Sequence, residues 1–589
     1  MLPWTTYEAM YNAALHQPEQ FWLDAAQRVT WNDTPRIACQ TRADGWHDWF
    51  PDATLNTCYN AVDRHVERGR GAQAALIWHS CATKERRIVT YQELQDRVAG
   101  FAGGLCTLGV KKGDRVLIAM PTMIETAIAM LACARIGAVH VVVFAGYAGP
   151  ELARRIDDVA PKVMIIASCS FQGQTAIQST PAWRSLVAQA THRPQGGICG
   201  QRECCPAPLG SVGDHDAQAL ACSPPGAPLL LRSQDPLYIL HTSGTTGTSK
   251  GIVRDNGGHA VALDLSMALI YACKAGDTFF TTSDLGWVVG HSYGVYAPLI
   301  SGCTSVIVEG AVTSAAIRTL CREHAVTCLF TTPTQMRLMR QESRNLSEST
   351  LPALARIFVA GEYADPTLLD WARAYFRKPV VNHWWQTETG WSITAHFFGL
   401  PEPEPITLLN DIGRPAPGFR PTIVPAMPDE PCGEIVLSLP LPPGCLAGVW
   451  KNKETHVPEI YLNDTGRFYR TFDEGMIEKS GAVHMLGRSD DVIKVAGRRI
   501  SGVQIEKIIA THPAVYACAV VAIPDELRGQ RPLAYVVTDR DLTPPSAEDI
   551  LRQVRQTLGR WVGIKEVRFV QKIPTTKSGK ITRKYLHIS

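Results

Sequence analysis

The feature that most restricts the possible folds is a run of alternating helix and strand signals that begins at Thr90. Thr90-Tyr-Gln-Glu93 has the form of a capping box, and Leu94, Val98, Phe101 and Leu105 then fall on one helical stripe. A strand is expected over Asp114–Met120, followed by an alanine-rich helix over Ile124–Ile136 and a β-branched strand over Val139–Phe144. Another helix follows from Glu151, then a strand over Lys162–Ala167. Repeated βαβ units of this kind imply a mostly parallel sheet covered by helices on both faces.

Between about Ser168 and Asp235 the periodicity fades into a segment rich in Pro, Gly, Gln and Cys. Its Cys199, Cys204, Cys205 and Cys222 match no zinc-ligand spacing and have no accompanying histidine pair, so the segment reads as a long surface excursion. Regular α/β signals resume at Leu237, and short strands with Gly/Pro turns from Asp411 to about Arg488 suggest a β-rich subdomain. Beyond Asp490, a helix over Gln504–Thr511, strands at Ala514–Ile523 and Pro532–Asp539, and a helix starting at Ser546 have the size of a compact α+β domain.

A chain of 589 residues exceeds what one hydrophobic core normally serves. With 45% hydrophobic residues, 19% charged residues and a net charge of +3, it reads as globular, with no global signal for a nucleic-acid or membrane partner. Seventeen scattered cysteines suit free thiols in a reducing compartment. The first twenty residues lack a basic region followed by an apolar one, and no apolar run reaches the roughly 18 residues of a membrane span. A cytoplasmic location is the expectation, with an organellar matrix left open.

The sharpest local motif is Thr242-Ser-Gly-Thr-Thr-Gly-Thr-Ser-Lys-Gly251, directly after the strand-like PLYIL. Glycines, hydroxyls and one lysine at a strand end can wrap N–H groups and an ammonium around phosphate oxygens. It is not a Walker A loop, because Lys250 is followed by Gly251. By itself it is also compatible with a flexible turn.

TSGTTGTSKG resembles the phosphate loop of the adenylate-forming superfamily, which contains acyl-CoA synthetases, luciferases and peptide-synthetase adenylation domains. Further signatures follow in the family's order: DLGWVVGHSY (284–293), VAGEYADP (359–366), NHWWQTETG (382–390), TFDEG (471–475), GRSDDVIKVAGRRI (487–500) and PTTKSGKITRK (574–584). Upstream, WFPDATLNTCYNAVDRH resembles the amino-terminal signature of the short-chain branch, while KGIVRDNGG and PLPPGCLAGVWKN are closer to propionyl- than to acetyl-CoA synthetases. The resemblance implies a large adenylation domain (residues 81–489) preceded by an N-terminal segment (1–80) and followed by a small mobile domain (490–589). It also implies an AMP-forming ligase that uses ATP, Mg2+ and coenzyme A on a short carboxylic acid, propionate before acetate.

Residue by residue, the resemblance places Thr242, Ser243, Gly244, Thr245, Thr246, Gly247 and Lys250 on the nucleotide phosphates. Gly361, Glu362 and Tyr363 form the adenine wall, and Asn382, His383, Trp384, Gln386 and Thr387 complete the site. Asp473 and Arg488 match the ribose ligands, Arg499 a phosphate-contacting arginine, and Glu388 the magnesium-holding carboxylate, a hard ligand for a hard cation. Lys580 matches the lysine that stabilises the charge built up when carboxylate attacks the α-phosphorus. Asp490 matches the hinge of the mobile domain, and Ala496, Gly497 and Arg498 match the stretch that faces the thiol tunnel. Neither half-reaction needs a protein nucleophile.

Val288, Val289, Ala360 and Trp385 match the short-chain acyl pocket, with tryptophan at the floor and alanine where acetyl-specific relatives tend to carry valine. One departure stands out. Where relatives place CoA-phosphate arginines, this chain reads Ser168-Cys-Ser-Phe-Gln-Gly-Gln174, leaving Arg154, Arg155 or Arg528 as substitutes. The competing readings are an acetate–CoA ligase, an enzyme loading a carrier-protein thiol, and a non-catalytic descendant. No carrier-like domain follows Lys584, and the retained Lys580, Glu388, Asp473 and Arg488 argue against the last.

Overall fold

The computed structural model describes residues 4–586 except 145–148, 180–186, 210–213, 243–249, 343–350, 363, 365, 404–411, 426–430, 452–453, 458, 464, 490–491, 497, 540–541, 575–580, 582 and 584–585. For residues 149, 214, 454–456, 492, 494, 498 and 499 only the backbone is described. The expected βαβ run forms the heart of a nine-stranded sheet. Arg115–Ala119, Val139–Val142 and Val163–Ala167 lie parallel, and Ile124–Arg135 and Gly149–Val159 are the crossover helices. Past Arg115, these strands are almost wholly apolar, with buried His140 the exception, because both faces are covered. Thr90 and Glu93 close the capping box, and the Leu94, Val98, Phe101 and Leu105 stripe is buried.

A second, seven-stranded sheet carries Arg356–Val359, Cys328–Thr331, Thr278–Thr281, Thr304–Glu309 and Ala74–Ser80 in parallel, flanked by Val380–Asn382 and the antiparallel Arg86–Thr90. A four-stranded antiparallel sheet (Pro421–Pro425, Gly433–Ser438, Phe468–Ile477, Val483–Arg488) forms the β-rich subdomain. The carboxy-terminal part has its own sheet, built on the long hairpin Val515–Asp525/Gly529–Thr538, with helices Gly502–Ala510 and Ala547–Leu558 packed on it. The architecture is that expected: α/β layers with a β-rich subdomain and a small α+β unit.

Two assignments differ. Gly196–Gly200, inside the segment read as a surface excursion, is a buried parallel strand beside Val163–Ala167. Its sequence GGICG offers no alternation and poor strand propensity, so only the neighbouring strand defines it. Gly448–Lys451 and Glu454–His456, assigned to the β-rich subdomain, instead extend the nine-stranded sheet along Lys250–Asp255. Trp450 ties the added strand Gly448–Lys451 to the crossover helix Gly149–Val159, its Nε1 donating to the Asp158 carbonyl at 3.1 Å.

Residues 4–50 pack along the large domain. Tyr7 and Tyr11 donate to the carbonyls of Pro415 and Phe419, and Trp46 and Trp49 to those of Leu446 and Leu441. Their apolar side chains join the same core as the sheets.

Candidate active site

The phosphate-loop motif is held by its two stems. Pro236–Thr242 and Lys250–Asp255 are adjacent antiparallel strands in which Thr242 faces Lys250; Ser243, Gly244, Thr245, Thr246 and Gly247 lie outside the described residues. The Lys250 ammonium stands 4.7 Å over the Tyr461 ring. Burial lowers its pKa, and the charge of Glu388 opposes that shift. Glu388 accepts a 2.9 Å hydrogen bond on Oε1 from the Tyr461 hydroxyl. Two residues of the sequence reading, Lys250 and Glu388, thus share one corner with Tyr461.

Beneath this corner Arg254 is fully buried. Its guanidinium donates to the carbonyls of Thr387, Glu388 (3.1 Å) and Gly444 (2.7 Å), fixing the backbone of the NHWWQTETG loop. The loop turns at Gly390, φ +74°, where a Cβ would stand 2.3 Å from the Gly444 oxygen and 2.7 Å from the Arg254 guanidinium carbon. Only glycine fits there. Sequence reasoning missed Arg254 and Tyr461. Arg254 lies within KGIVRDNGG, whose departure from acetyl-type enzymes was a signal, whereas Tyr461 belongs to no motif.

A second constellation centres on Asp473, nine-tenths buried. Trp384 Nε1 and Gln386 Nε2 donate to its Oδ2 at 3.0 and 2.6 Å, and Arg488 Nη1 approaches Oδ1 at 3.4 Å. Asp473 and Arg488 are register partners on neighbouring strands, so sheet pairing itself sets their approach. Gln386 is further held by the Thr471 carbonyl at 2.7 Å and the Tyr469 hydroxyl at 3.2 Å. Four sequence-expected nucleotide residues therefore meet here.

Ala360 follows the strand Arg356–Val359 directly, its N–H donating to the Thr331 carbonyl, and Gly361 comes next, exposed at φ +94°. Glu362 Oε2 accepts from Thr334 Oγ1 at 2.7 Å and from Arg337 at 3.3 Å; Tyr363 lies outside the described residues. Asn382 Oδ1 accepts the His383 N–H, and Thr387 is half-buried. The His383 imidazole turns into the core rather than the cleft. Its ring nitrogens meet the Tyr271 hydroxyl and the Val359 carbonyl, both at 2.9 Å, and burial pushes its pKa down to about 4. Only its backbone is left to meet a nucleotide.

Val288 and Val289 open the short helix Val288–His291. Trp385, half-buried, stands edge-on to Tyr293 with ring centroids 5.5 Å apart, and Phe330 lies 6.3 Å away. Val289 and Ala360 belong to the main core of the large domain, and Val288 and Trp385 pack against it.

The carboxy-terminal assignments are less fully placed. Ala496 is exposed at φ +50° and its N–H donates to Arg528. Arg498 and Arg499 lie on Arg498–Ser501, with only their backbone described, and Gly497, Asp490 and Lys580 lie outside the described residues. Of the substitute CoA cations, Arg155 is buried and paired with Glu151, and Arg154 pairs with the same carboxylate. Another arginine near Ser168–Gln174, Arg202, lies over the Phe171 ring but is neutralised by buried Glu309.

Comparison with known proteins gives the family. A model described as AMP-binding enzyme matches residues 62–443, one for the AMP-binding enzyme C-terminal domain matches 504–580, and one for the acetyl-coenzyme A synthetase N-terminus matches 7–61. The human acyl-CoA synthetase short-chain family member 3, mitochondrial, is 39% identical, the alignment covering 98% of this chain and 87% of that protein. The propionate–CoA ligase of Escherichia coli K12 is 36% identical over 98% of this chain and 95% of its own length. The acetoacetyl-CoA synthetase of Streptomyces lividans shares the fold, with a TM-score of 0.85 and 22% identity, covering 99% of this chain and 90% of that one. With ordered motifs, site geometry and family models in agreement, the chain belongs to the AMP-binding enzymes of the adenylate-forming superfamily, in the short-chain acyl-CoA synthetase branch.

Proposed function

We propose that propionate is the preferred acid of this AMP-forming short-chain acyl-CoA ligase, with acetate a poorer substrate. The carboxylate displaces pyrophosphate from ATP to give acyl-AMP; the CoA thiol then displaces AMP and loses its proton. The observation that carries the acid assignment is Trp385, which stands edge-on to Tyr293 with Phe330 nearby, read together with the small, buried Ala360 that the resemblance assigns to the same pocket. An indole at the floor excludes long chains, while alanine leaves room for the third carbon. One methylene in such a pocket is worth about 1–3 kcal/mol, which corresponds to roughly 10–200-fold in kcat/KM. Pyrophosphate release measured over two- to five-carbon acids, with and without CoA, tests the reading. A profile that peaks at acetate overturns it.

In this reading the loop from Thr242 to Lys250 receives the phosphates, and Gly361, Glu362 and Tyr363 wall the adenine together with the 382–387 segment. Asp473 and Arg488 hold the ribose, where a carboxylate suits two hydroxyl donors. Arg499 contacts phosphate and Lys580 stabilises the first transition state. Asp490 is the hinge between the 81–489 and 490–589 domains, and Ala496, Gly497 and Arg498 line the thiol approach. Glu388 fits magnesium: its carboxylate lies beside the phosphate-loop stem, and among the described residues only Tyr461 bonds it, through one oxygen. When bound, the ion neutralises charge on the departing pyrophosphate. No helix among the described residues is long and apolar enough to cross a membrane, and we place the enzyme in the cytoplasm or an organellar matrix.

A further inference from the structure

We infer that Tyr461 is a positioning residue for the metal-nucleotide complex, aiming the Glu388 carboxylate and the Lys250 ammonium from one side chain. The inference rests on the reading of Glu388 as the magnesium ligand. Tyr461 ends the short 3-10 turn Glu459–Tyr461 and is buried. Its hydroxyl donates to Glu388 Oε1 at 2.9 Å, and its ring face lies 4.7 Å from Lys250 Nζ. These two contacts use different parts of the side chain. The phenol edge fixes the anion, and the negative face of the π-system attracts the cation.

The ring is itself held. It stacks on Tyr469 with centroids 5.6 Å apart and an interplanar angle of 12°, and meets Phe472 edge-on at 6.3 Å. Tyr469 in turn donates to Gln386 on the same loop as Glu388. A stacked tyrosine pair from the β-rich subdomain therefore grips two polar residues of the nucleotide loop. By taking Oε1, Tyr461 fixes the rotation of the Glu388 carboxylate and leaves Oε2 to coordinate. Hydrogen bonds of this kind to a ligating group commonly change metal affinity or activity by about 10–100-fold when removed.

The test is Tyr461→Phe in the full-length enzyme, which removes the hydroxyl while keeping the ring over Lys250 and against Tyr469. Half-saturation by Mg2+ is measured in pyrophosphate release, and ATP affinity is measured by calorimetry in MgCl2 and in EDTA. The Mg2+ half-saturation is expected to rise about tenfold, with ATP affinity weakened in MgCl2 and unchanged in EDTA. Glu388→Gln and the double variant complete the cycle: once Glu388→Gln is in place, adding Tyr461→Phe should change nothing further. An unchanged Mg2+ requirement in Tyr461→Phe beside a raised one in Glu388→Gln overturns the inference and leaves the Glu388 reading standing. Additive effects, or equal loss of ATP affinity with and without Mg2+, also overturn it. An unchanged Mg2+ requirement in Glu388→Gln removes both.

Discussion

In the proposed reading, the acid preference turns on Ala360. It is buried directly after Arg356–Val359 with its N–H committed to Thr331, so the backbone cannot move aside for a larger side chain. Ala360→Val should therefore push into the space of a third substrate carbon, at an overpacking cost of about 1–3 kcal/mol. The ratio of kcat/KM for propionate to that for acetate should fall by about tenfold, and an equal fall for both acids would remove Ala360 from the acyl pocket. Trp385→Gly should do the reverse, opening the floor beside Tyr293 and Phe330 and moving the optimum to acids of about five or more carbons. An acid series with an unmoved optimum would contradict that. The meeting of Trp384, Gln386, Asp473 and Arg488 was legible in the sequence because each sits in a motif that the resemblance assigns to one site. Tyr461 and Arg254 were not, because their partners lie far along the chain and are set only by packing: Arg254 meets Glu388 at a separation of 134 residues, and Tyr461 meets it at 73.

At the scale of elements, the NHWWQTETG loop depends on a cation it does not contain. Arg254→Met keeps bulk but leaves the carbonyls of Thr387, Glu388 and Gly444 without their buried donor. Hydrogen bonds to a charged group are worth about 1.5–3 kcal/mol each, and they do not add fully. The variant should lose roughly 2–4 kcal/mol of stability and raise the KM for ATP, while its propionate-to-acetate ratio stays unaltered. Chemical denaturation with parallel kinetics checks both, and a changed ratio would mean that the loop also shapes the acyl pocket. Elements with strong local signals were readable: the capping box at Thr90 closes as its sequence suggests, and the helix expected from Ser546 has that residue as its N-cap. Gly196–Gly200 and Gly448–Lys451 escaped because their strand character comes from a neighbour's open edge rather than from their own side chains.

Across the whole molecule, buried histidines tie stability to pH. His140, His259 and His291 are buried together, with His140 and His291 sharing a 3.1 Å contact between their Nε2 atoms, while His383 is buried beside Tyr271. Burial holds all four below the usual histidine value; His291 falls to about 3 and His383 to about 4. A depressed folded-state pKa means that the unfolded chain takes up protons first. The stability is intact above about pH 6.5 and is lost as pH falls below it, at up to about 1.4 kcal/mol per pH unit for each histidine. Asp255 runs the other way: burial raises it to about 7, so its contribution is lost as pH rises through that value and recovered on acidification. Four groups outweigh one. The melting temperature should fall steeply from about pH 6.5 to about pH 5, and a flat profile over that range would show that the histidines charge without opening the core.

The packing of residues 4–50 along the large domain also sets a timetable. Trp46 and Trp49 find their acceptors at Leu446 and Leu441, 400 and 392 residues downstream, and Tyr7 waits for Pro415, 408 residues on. At about 5–20 residues per second, a ribosome needs roughly 20–80 s to supply those partners. Throughout that interval these indole and phenol donors are outside the tunnel without their native acceptors, while rings of the same segment can already pair with one another, Trp22 with Trp49 and Trp31 with Phe50.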